Sequence, residues 1–162
     1  MIRIREYREE DINAIQAIWN EVIEEGNSFF WTESFSLDKI RGILERQDAV
    51  LCAEDTENGE VAGFYILHKN FPGRGAHVAN ALYAVGSRFR NRRIGRTLAV
   101  HSLETAKRCG YRAIQFNSVV SSNTASVKLW ESLGFERAGT IRKAFMNPMN
   151  QPLDIYIYYR EL

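Results

Sequence analysis

The strongest constraint on the fold of this 162-residue chain is a strand that ends in an arginine-rich turn and leads directly into a helix. The apolar run 79–85 predicts the strand, Gly86 and Ser87 end it, and 94–103 has helical spacing. Backbone N–H groups in the first turn of a helix have no partner within the helix, and the helix dipole attracts anions there. The turn at 90–97 therefore predicts a phosphate site.

The arginines of this turn allow two interpretations. They could donate charge-assisted hydrogen bonds to a diphosphate, or they could form a solvated face or a nucleic-acid patch. The turn lacks the Gly-Lys-Ser/Thr of a P-loop, and it has only Gly95 of the three glycines of a dinucleotide fingerprint. The arginines concerned are Arg88, Arg90, Arg92, Arg93 and Arg96.

A second motif favours the phosphate interpretation. A strand is predicted at 112–119, and N-x-x-S-x-x-x-W-x-x-x-G-F follows it from Asn123. Together with R-x-x-x-x-G from Arg90, this pattern resembles the acetyl-CoA-dependent GNAT N-acetyltransferases. The resemblance covers essentially the whole chain. It implies an α/β GNAT fold, with a mixed central sheet of about seven strands flanked by about four helices.

The length and composition of the chain predict a single enzyme domain that spans residues 1–162. The formal net charge of +1 provides no global field for nucleic acid, and no apolar run is long enough for a membrane span. Cys52 and Cys109 have no metal or redox spacing, so they are expected to be small buried hydrophobes in a reducing, cytoplasmic compartment. The alternation at 2–6 is that of a strand and not of a signal peptide. A homodimer is compatible with these observations.

The remaining elements follow from hydrophobic period and turn residues. Acidic residues suit the start of a helix at 9–25, which Gly26 would end, and Ser36 is a candidate cap for the next helix. The full set comprises strands at 2–6, 49–54, 61–69 and 153–159 and one after Phe135, helices at 9–25 and 37–46, a hairpin turn at Asn58-Gly59, and an irregular aromatic segment at 27–33.

The resemblance implies how acetyl-CoA would be held. Backbone groups of the strand before the turn would bind the pantetheine arm, and one N–H there would stabilise the oxyanion. Asn123 either bonds the cofactor arm or caps its helix, and Ser126 is a second candidate for the arm. Arg93 stands where the family usually has its first glycine. The cofactor set is Tyr83, Ala84, Val85, Arg90, Asn91, Arg92, Arg93, Ile94, Gly95, Arg96, Thr97, Asn123 and Ser126.

Trp130 departs from the family pattern. Many relatives carry a tyrosine here, whose phenol is proposed to protonate the leaving thiolate, whereas an indole N–H is too weak an acid. The acid then lies elsewhere or is water, and Trp130 is expected to pack against the cofactor arm or the core. Tyr83 could substitute for the acid, but its phenol is expected to pack on the sheet.

Two asparagines are the candidate catalytic residues on the acceptor side. Asn80 and Asn117 lie in predicted strands, where asparagine is depleted. They either satisfy nearby backbone or line a pocket for a small zwitterion, with an ordered water relaying the proton. Together with Trp130, this arrangement resembles the GNAT branch that acetylates proline analogues such as azetidine-2-carboxylate. The segments 18–22 and 27–29 resemble the phosphinothricin-type acetyltransferases. The acceptor wall would contain Phe29, Phe30, Trp31 and Glu33.

Alternatives remain open from the sequence. The acceptor could be a protein N-terminus or a ribosomal protein instead of a small-molecule amine. Loss of catalysis would leave an acyl-CoA-binding module, for which Arg93 and Trp130 are the supporting residues. No metal is expected, because His68, His77 and His101 lack ligand spacing.

Overall fold

A seven-stranded mixed sheet flanked by four α-helices makes up the computed structural model, which describes residues 1–162. The strand order is β1-β2-β3-β4-β5-β7-β6, and β4 and β5 are the only parallel neighbours. This confirms the mixed sheet expected from the sequence. The strands are β1 (Ile2–Glu6), β2 (Ala49–Asp55), β3 (Glu60–Lys69), β4 (Val78–Val85), β5 (Ala113–Val120), β6 (Glu136–Met146) and β7 (Pro152–Glu161), and the helices are α1 (Ile12–Glu25), α2 (Leu37–Leu44), α3 (Ile94–Arg108) and α4 (Thr124–Ser132).

The two parallel strands separate soon after they meet. β4 and β5 pair only through Val78 with Ala113 and Ala79 with Ile114. β4 nevertheless stays paired with β3 as far as Val85, and β5 stays paired with β7. An opening, here called the β4–β5 gap, therefore lies in the middle of the sheet beyond Ala79.

Hydrophobic cores cover both faces of the sheet. Successive residues of a strand point to opposite faces, so Phe64 of β3 packs with α1 and α2 while Tyr65 packs with α3. Both side chains have 0% exposure. The continuous apolar sequence of β3 is thus the consequence of burial on both sides.

Helix α1 begins three residues later than the sequence predicts. Residues Glu9–Asp11 form a 3-10 turn instead. The Asp11 carboxylate accepts hydrogen bonds from the Arg8 backbone N–H at 2.8 Å and from the Arg5 guanidinium at 2.7 and 2.8 Å. The Asp11 carboxylate is therefore paired with Arg5 of β1, and this pair links the edge strand to the start of α1. The helix ends at Gly26 as predicted, with a φ of 65°.

Most other predicted boundaries hold to within one or two residues. Ser36 caps α2 as predicted, its Oγ accepting from the Lys39 N–H at 3.2 Å. That helix ends at Leu44 and not at 46. α3 continues to Arg108, beyond the predicted end at 103, and β6 is long, running to Met146.

The two cysteines differ in environment. Cys52 is buried, as expected, and burial raises the pKa of its thiol to about 12. Cys109, at the end of α3, is exposed, so the expectation of burial was wrong for it. No group of His, Cys, Asp and Glu side chains is arranged to hold a metal ion. None of the helices combines the length and apolar character required to cross a bilayer.

Gly63 provides a test of the β3–β4 packing. A Cβ there would lie 2.7 Å from the Ala84 carbonyl oxygen, which belongs to the paired strand and cannot move away freely. We expect Gly63→Ala to lower the free energy of unfolding by about 1–3 kcal/mol. Denaturant titration followed by circular dichroism measures the change.

A matched control is Gly42→Ala in α2, where an added Cβ meets nothing within 4 Å. Alanine is the better helix former, so this variant should raise the free energy of unfolding by up to about 1 kcal/mol. Equal effects of the two substitutions would contradict the packing described at Gly63.

Candidate active site

The β4–β5 gap exposes one edge of the β4 backbone. The even-numbered residues of β4 face β3, as shown by the Gly86 N–H donating to the Ala62 carbonyl at 3.0 Å and the Asn70 N–H to that of Val78 at 2.8 Å. Backbone groups of successive strand residues point to opposite edges, so Tyr83 and Val85 direct theirs into the gap. Ala84 of the predicted cofactor set directs its own to β3 instead.

The turn between β4 and α3 has the predicted anion-binding geometry. The first hydrogen bond of α3 runs from the Thr97 N–H to the Arg93 carbonyl at 3.1 Å, so the N–H groups of residues 94–96 have no intrahelical partner. Asn91 and Arg93 have φ values of 62° and 61°, in the left-handed region. Arg93 thus adopts the conformation that glycine adopts at no steric cost. An added Cβ on Gly95 would meet no protein atom within 4 Å.

Carboxylates neutralise three of the five arginines. Arg88 pairs with Glu60 at 2.6 Å, Arg90 with Glu25 at 2.7 Å and Arg92 with Asp55 at 2.8 Å. The hydrogen bond from Arg92 is the largest cause of a lowered pKa at Asp55. These pairs argue against a continuous basic surface for nucleic acid.

A first cavity of about 980 Å³ lies between this turn, the end of α1 and the start of α4. Most of the predicted cofactor residues line it, whereas Arg92, Arg96 and Thr97 do not. Arg96 donates to Ser132 Oγ at 2.9 Å, and Thr97 Oγ1 donates to the Arg93 carbonyl at 3.2 Å. The predicted residues in its wall are Tyr83, Ala84, Val85, Arg90, Asn91, Arg93, Ile94, Gly95, Asn123 and Ser126.

Asn123 serves as the helix cap and still faces the cavity. Its Oδ1 accepts from the Ser126 N–H at 3.3 Å at the start of α4. The cap fixes the amide with Nδ2 free of any partner in the chain, so both of its N–H donors remain for a ligand. Capping and ligand binding are compatible at this residue.

A second cavity of about 610 Å³ lies on the α1–α2 side of the gap. It shares wall residues with the first cavity, namely Ser28, Tyr83, Asn123, Ser126 and Trp130, so the two meet at the gap. No Asp, Glu, Lys or Arg lines it. Of the predicted acceptor-wall residues, Phe29, Phe30 and Trp31 line it, whereas Glu33 is exposed and lines neither cavity.

Asn80 and Asn117 are brought together across the gap by a third asparagine. Asn70, which directly follows β3, accepts from Asn80 Nδ2 at 3.2 Å and from Asn117 Nδ2 at 2.8 Å. The Asn80 Oδ1 accepts from the neighbouring Ala81 N–H at 2.8 Å. The neighbouring backbone thus satisfies part of the hydrogen-bonding capacity of Asn80. Both Asn80 and Asn117 also line the second cavity.

Neither aromatic candidate at the gap can supply an acidic proton. Ser102 Oγ donates to the Ala99 carbonyl at 2.7 Å, so the Tyr83 hydroxyl, 2.7 Å from that Oγ, must donate to it. Burial also raises the pKa of Tyr83. Trp130 is buried, with its ring 4.4 Å from that of Phe116 and 5.0 Å from that of Tyr83. Both side chains therefore shape the gap.

The comparison with known families agrees with this geometry. The sequence profile of the Acetyltransferase (GNAT) family matches residues 13–135. The chain belongs to the GNAT family of acetyltransferases. The α/β GNAT fold expected from the sequence is thereby confirmed.

One curated relative resembles about two thirds of the chain. N-acetyltransferase aca1 of Schizosaccharomyces pombe is 37% identical over 112 residues, which cover 68% of this chain and 53% of that protein. The chain therefore spans about half the length of this curated relative.

Solved GNAT structures match along the whole chain. A GCN5-related N-acetyltransferase from Kribbella flavida superposes with a TM-score of 0.93 at 34% identity, covering 99% of this chain and 98% of that one. A phosphinothricin acetyltransferase from Sinorhizobium meliloti, solved in complex with AcCoA, has a TM-score of 0.92 at 18% identity, covering 99% and 88%. The second likeness concerns the fold alone.

Three residues of the second cavity or its edge were missed by the sequence analysis. His68 and Gln47 line the cavity, and Asn70 links the two predicted asparagines. Their placement depends on the register of β3 on β4 and on where α2 ends. The only sign in the sequence that these three residues could line a site was that their side chains are amides or an imidazole.

Arg93 allows a test of the turn conformation. Arg93→Gly removes the side-chain clash of the left-handed region, worth about 1–2 kcal/mol, at an entropic cost of about 0.5–1 kcal/mol. We expect the free energy of unfolding to rise by about 0.5–1 kcal/mol, measured by denaturant titration. Asn91→Gly is the control and should gain less, because asparagine tolerates this region better. A loss of stability in Arg93→Gly would contradict the strain described here.

Proposed function

We propose that this GNAT chain transfers the acetyl group of acetyl-CoA to the amine of a small amino acid or amino-acid analogue. The observation that carries the proposal is the meeting of two unlike cavities at the β4–β5 gap. One has an anion-binding turn in its wall, and the other is aromatic and free of formal charge. Two substrates could thus approach each other from opposite ends of one channel.

The first cavity suits acetyl-CoA. Free N–H groups at residues 94–96, the open space over Gly95 and the Arg93 side chain, which forms no ion pair in the chain, favour the pyrophosphate. The gap-facing backbone groups of Tyr83 and Val85, and Nδ2 of Asn123, suit the amides of the pantetheine arm. When bound, acetyl-CoA supplies an acetyl group activated as a thioester.

The second cavity suits a compact acceptor with no net charge. An unpaired charge buried against an uncharged wall is costly, so neither a polyamine nor an additional acidic group is favoured. An amide can donate to a carboxylate and accept from an amine. Asn80 and Asn117 could therefore bind both ends of a zwitterion once they exchange some of their contacts with Asn70.

Within that class, a cyclic imino acid such as azetidine-2-carboxylate fits better than phosphinothricin. Phosphinothricin carries a second anionic group, and no arginine or lysine lines the second cavity to neutralise it. The ring of an imino acid can instead lie against aromatic side chains. Trp19, Phe29 and Trp31 are within 5.7 Å of one another, centroid to centroid, in this wall.

The test is a thiol-release assay with acetyl-CoA and a panel of acceptors. The panel contains azetidine-2-carboxylate, proline, phosphinothricin, a polyamine and a short peptide with a free alanine N-terminus. We expect the imino acids to give the highest kcat/KM. Preference for the peptide would favour a protein N-terminus as acceptor. Acetyl-CoA binding without turnover of any acceptor would indicate a non-catalytic module.

The cofactor turn is tested by Gly95→Asp. A carboxylate at this position would project toward the expected phosphate and repel it, so the Kd for acetyl-CoA should rise at least tenfold, corresponding to about 1.4 kcal/mol. Isothermal titration calorimetry measures the Kd. Gly42→Asp introduces the same charge on α2, outside both cavities, and should leave the Kd unchanged. Equal affinity of the folded Gly95→Asp variant and the wild type would locate the phosphate elsewhere.

The acceptor side is tested by Asn80→Ala and Asn117→Ala. Each variant should lose about 1–3 kcal/mol in kcat/KM for the best acceptor, because one hydrogen bond to a charged group is lost. Binding of acetyl-CoA, followed by calorimetry, should change little. Asn58→Ala, in the exposed β2–β3 turn, is the control. Wild-type kcat/KM in both cavity variants would refute the role of these amides.

A further inference from the structure

His68 lies near the end of β3 and lines the second cavity. Gln47 forms a hydrogen bond with one of its two ring nitrogens. His68 Nδ1 lies 2.9 Å from Gln47 Oε1, and Gln47 Nε2 donates to the Ile43 carbonyl at 2.9 Å. Ile43 belongs to the last turn of α2, and its carbonyl also accepts from the Arg46 backbone N–H at 3.2 Å. The imidazole is therefore connected to a helix end through one amide side chain.

This connection determines the tautomer of the imidazole. A carbonyl oxygen can only accept, so the Gln47 atom on Ile43 must be the NH₂ group and the atom facing His68 must be the oxygen. His68 Nδ1 must then carry the proton and donate it. Nε2 is left with a lone pair and with no hydrogen-bond partner in the chain.

The surroundings favour an uncharged imidazole. Burial is the largest cause of the lowered pKa of His68. The negative charge of Asp48, just before β2, acts in the opposite direction by favouring the charged imidazolium. Tyr83 is the only other titratable residue in the wall of the second cavity, and its hydroxyl is committed to Ser102. Nε2 thus remains a free base at neutral pH.

His68 also lies beside the predicted acceptor amides. It is paired directly with Asn80 across β3 and β4, and the two side chains share one face of the sheet. Asn80 is connected through Asn70 to Asn117. The free base and the two amides therefore line the same wall.

We propose that His68 is the general base that deprotonates the acceptor ammonium in the second cavity, with Gln47 as the residue that positions it. Nε2 takes one proton from the ammonium, directly or through one water. The freed nitrogen lone pair forms the C–N bond to the acetyl carbon as the C–S bond breaks. The acylated nitrogen then releases its second proton to water, which protonates the departing thiolate, so the products are the neutral amide and the free thiol of CoA. The inference rests on the acetyltransferase activity proposed above.

The experiment is a pH profile of kcat/KM for the best acceptor of the panel. Removal of the base in His68→Gln should lower kcat/KM by about 10²- to 10⁴-fold. It should also abolish the acidic decline expected of the wild type, which should lie below the usual pH range of imidazole titration because burial lowers the pKa of His68. His77→Gln is the control, because His77 is exposed and lines neither cavity. It should keep both the rate and the profile.

Gln47→Glu distinguishes a base from a structural histidine. A carboxylate facing Nδ1 stabilises the imidazolium and raises the pKa of His68, so the acidic decline should move to higher pH. Titration of the ring by ¹⁵N NMR should show the Nδ1–H tautomer in the wild type and the same upward shift in Gln47→Glu, whether or not acceptor is present.

The outcomes separate this proposal from the function on which it rests. Wild type that turns over no acceptor refutes both. Wild type that turns over an acceptor, with an unchanged profile in His68→Gln, refutes only the role of His68. An Nε2–H tautomer, or a profile that does not move in Gln47→Glu, also overturns the proposal.

Discussion

The early separation of β4 from β5 is the constraint on which the candidate site depends. A continuous sheet would use both edges of β4 for pairing, and no polar backbone group would be left for a ligand. Because pairing stops after Ala79, the edge carrying Tyr83 and Val85 is free. The same opening lets a cavity on the α3 side communicate with one on the α1–α2 side. The meeting of the two cavities therefore follows from a single interruption of the hydrogen-bond ladder.

Aromatic packing keeps the opening from closing. Phe116 of β5 contacts Trp130 of α4, at 4.4 Å, and Phe135, at 4.9 Å, while Tyr83 of β4 contacts Trp130 at 5.0 Å. This group fills the space that a pairing of the two strands would occupy. The hydroxyl of Tyr83 in this group bonds to Ser102 of α3. Tyr83 and Trp130, which line both cavities, thus define the shape of the opening.

Local sequence was sufficient for some parts of the site and not for others. The turn before α3 and the cap at Asn123 depend on residues close in sequence, and the structure contains both where the sequence placed them. Their roles in binding phosphate and the cofactor arm stay predictions. Arg92 and Arg96 were assigned to phosphate by the same local logic, but their guanidinium groups bond to Asp55 and Ser132, which are distant in sequence. His68 could not be found, because its partner Gln47 comes from a different element. Contacts between distant segments therefore separate the correct predictions from the missed ones.

Arg93 has a consequence for how the phosphate turn behaves before a ligand arrives. A glycine at this position would sample many backbone states, and binding would have to select one of them. Arg93 lies at a φ of 61° although its side chain disfavours this region, so the surrounding structure holds the turn, and a residue with a side chain has fewer alternative backbone states than glycine. The turn therefore loses less conformational entropy when an anion settles on it. A position that is costly for folding thus makes the turn a stiffer receptor, in which the order needed for recognition is already present in the free protein.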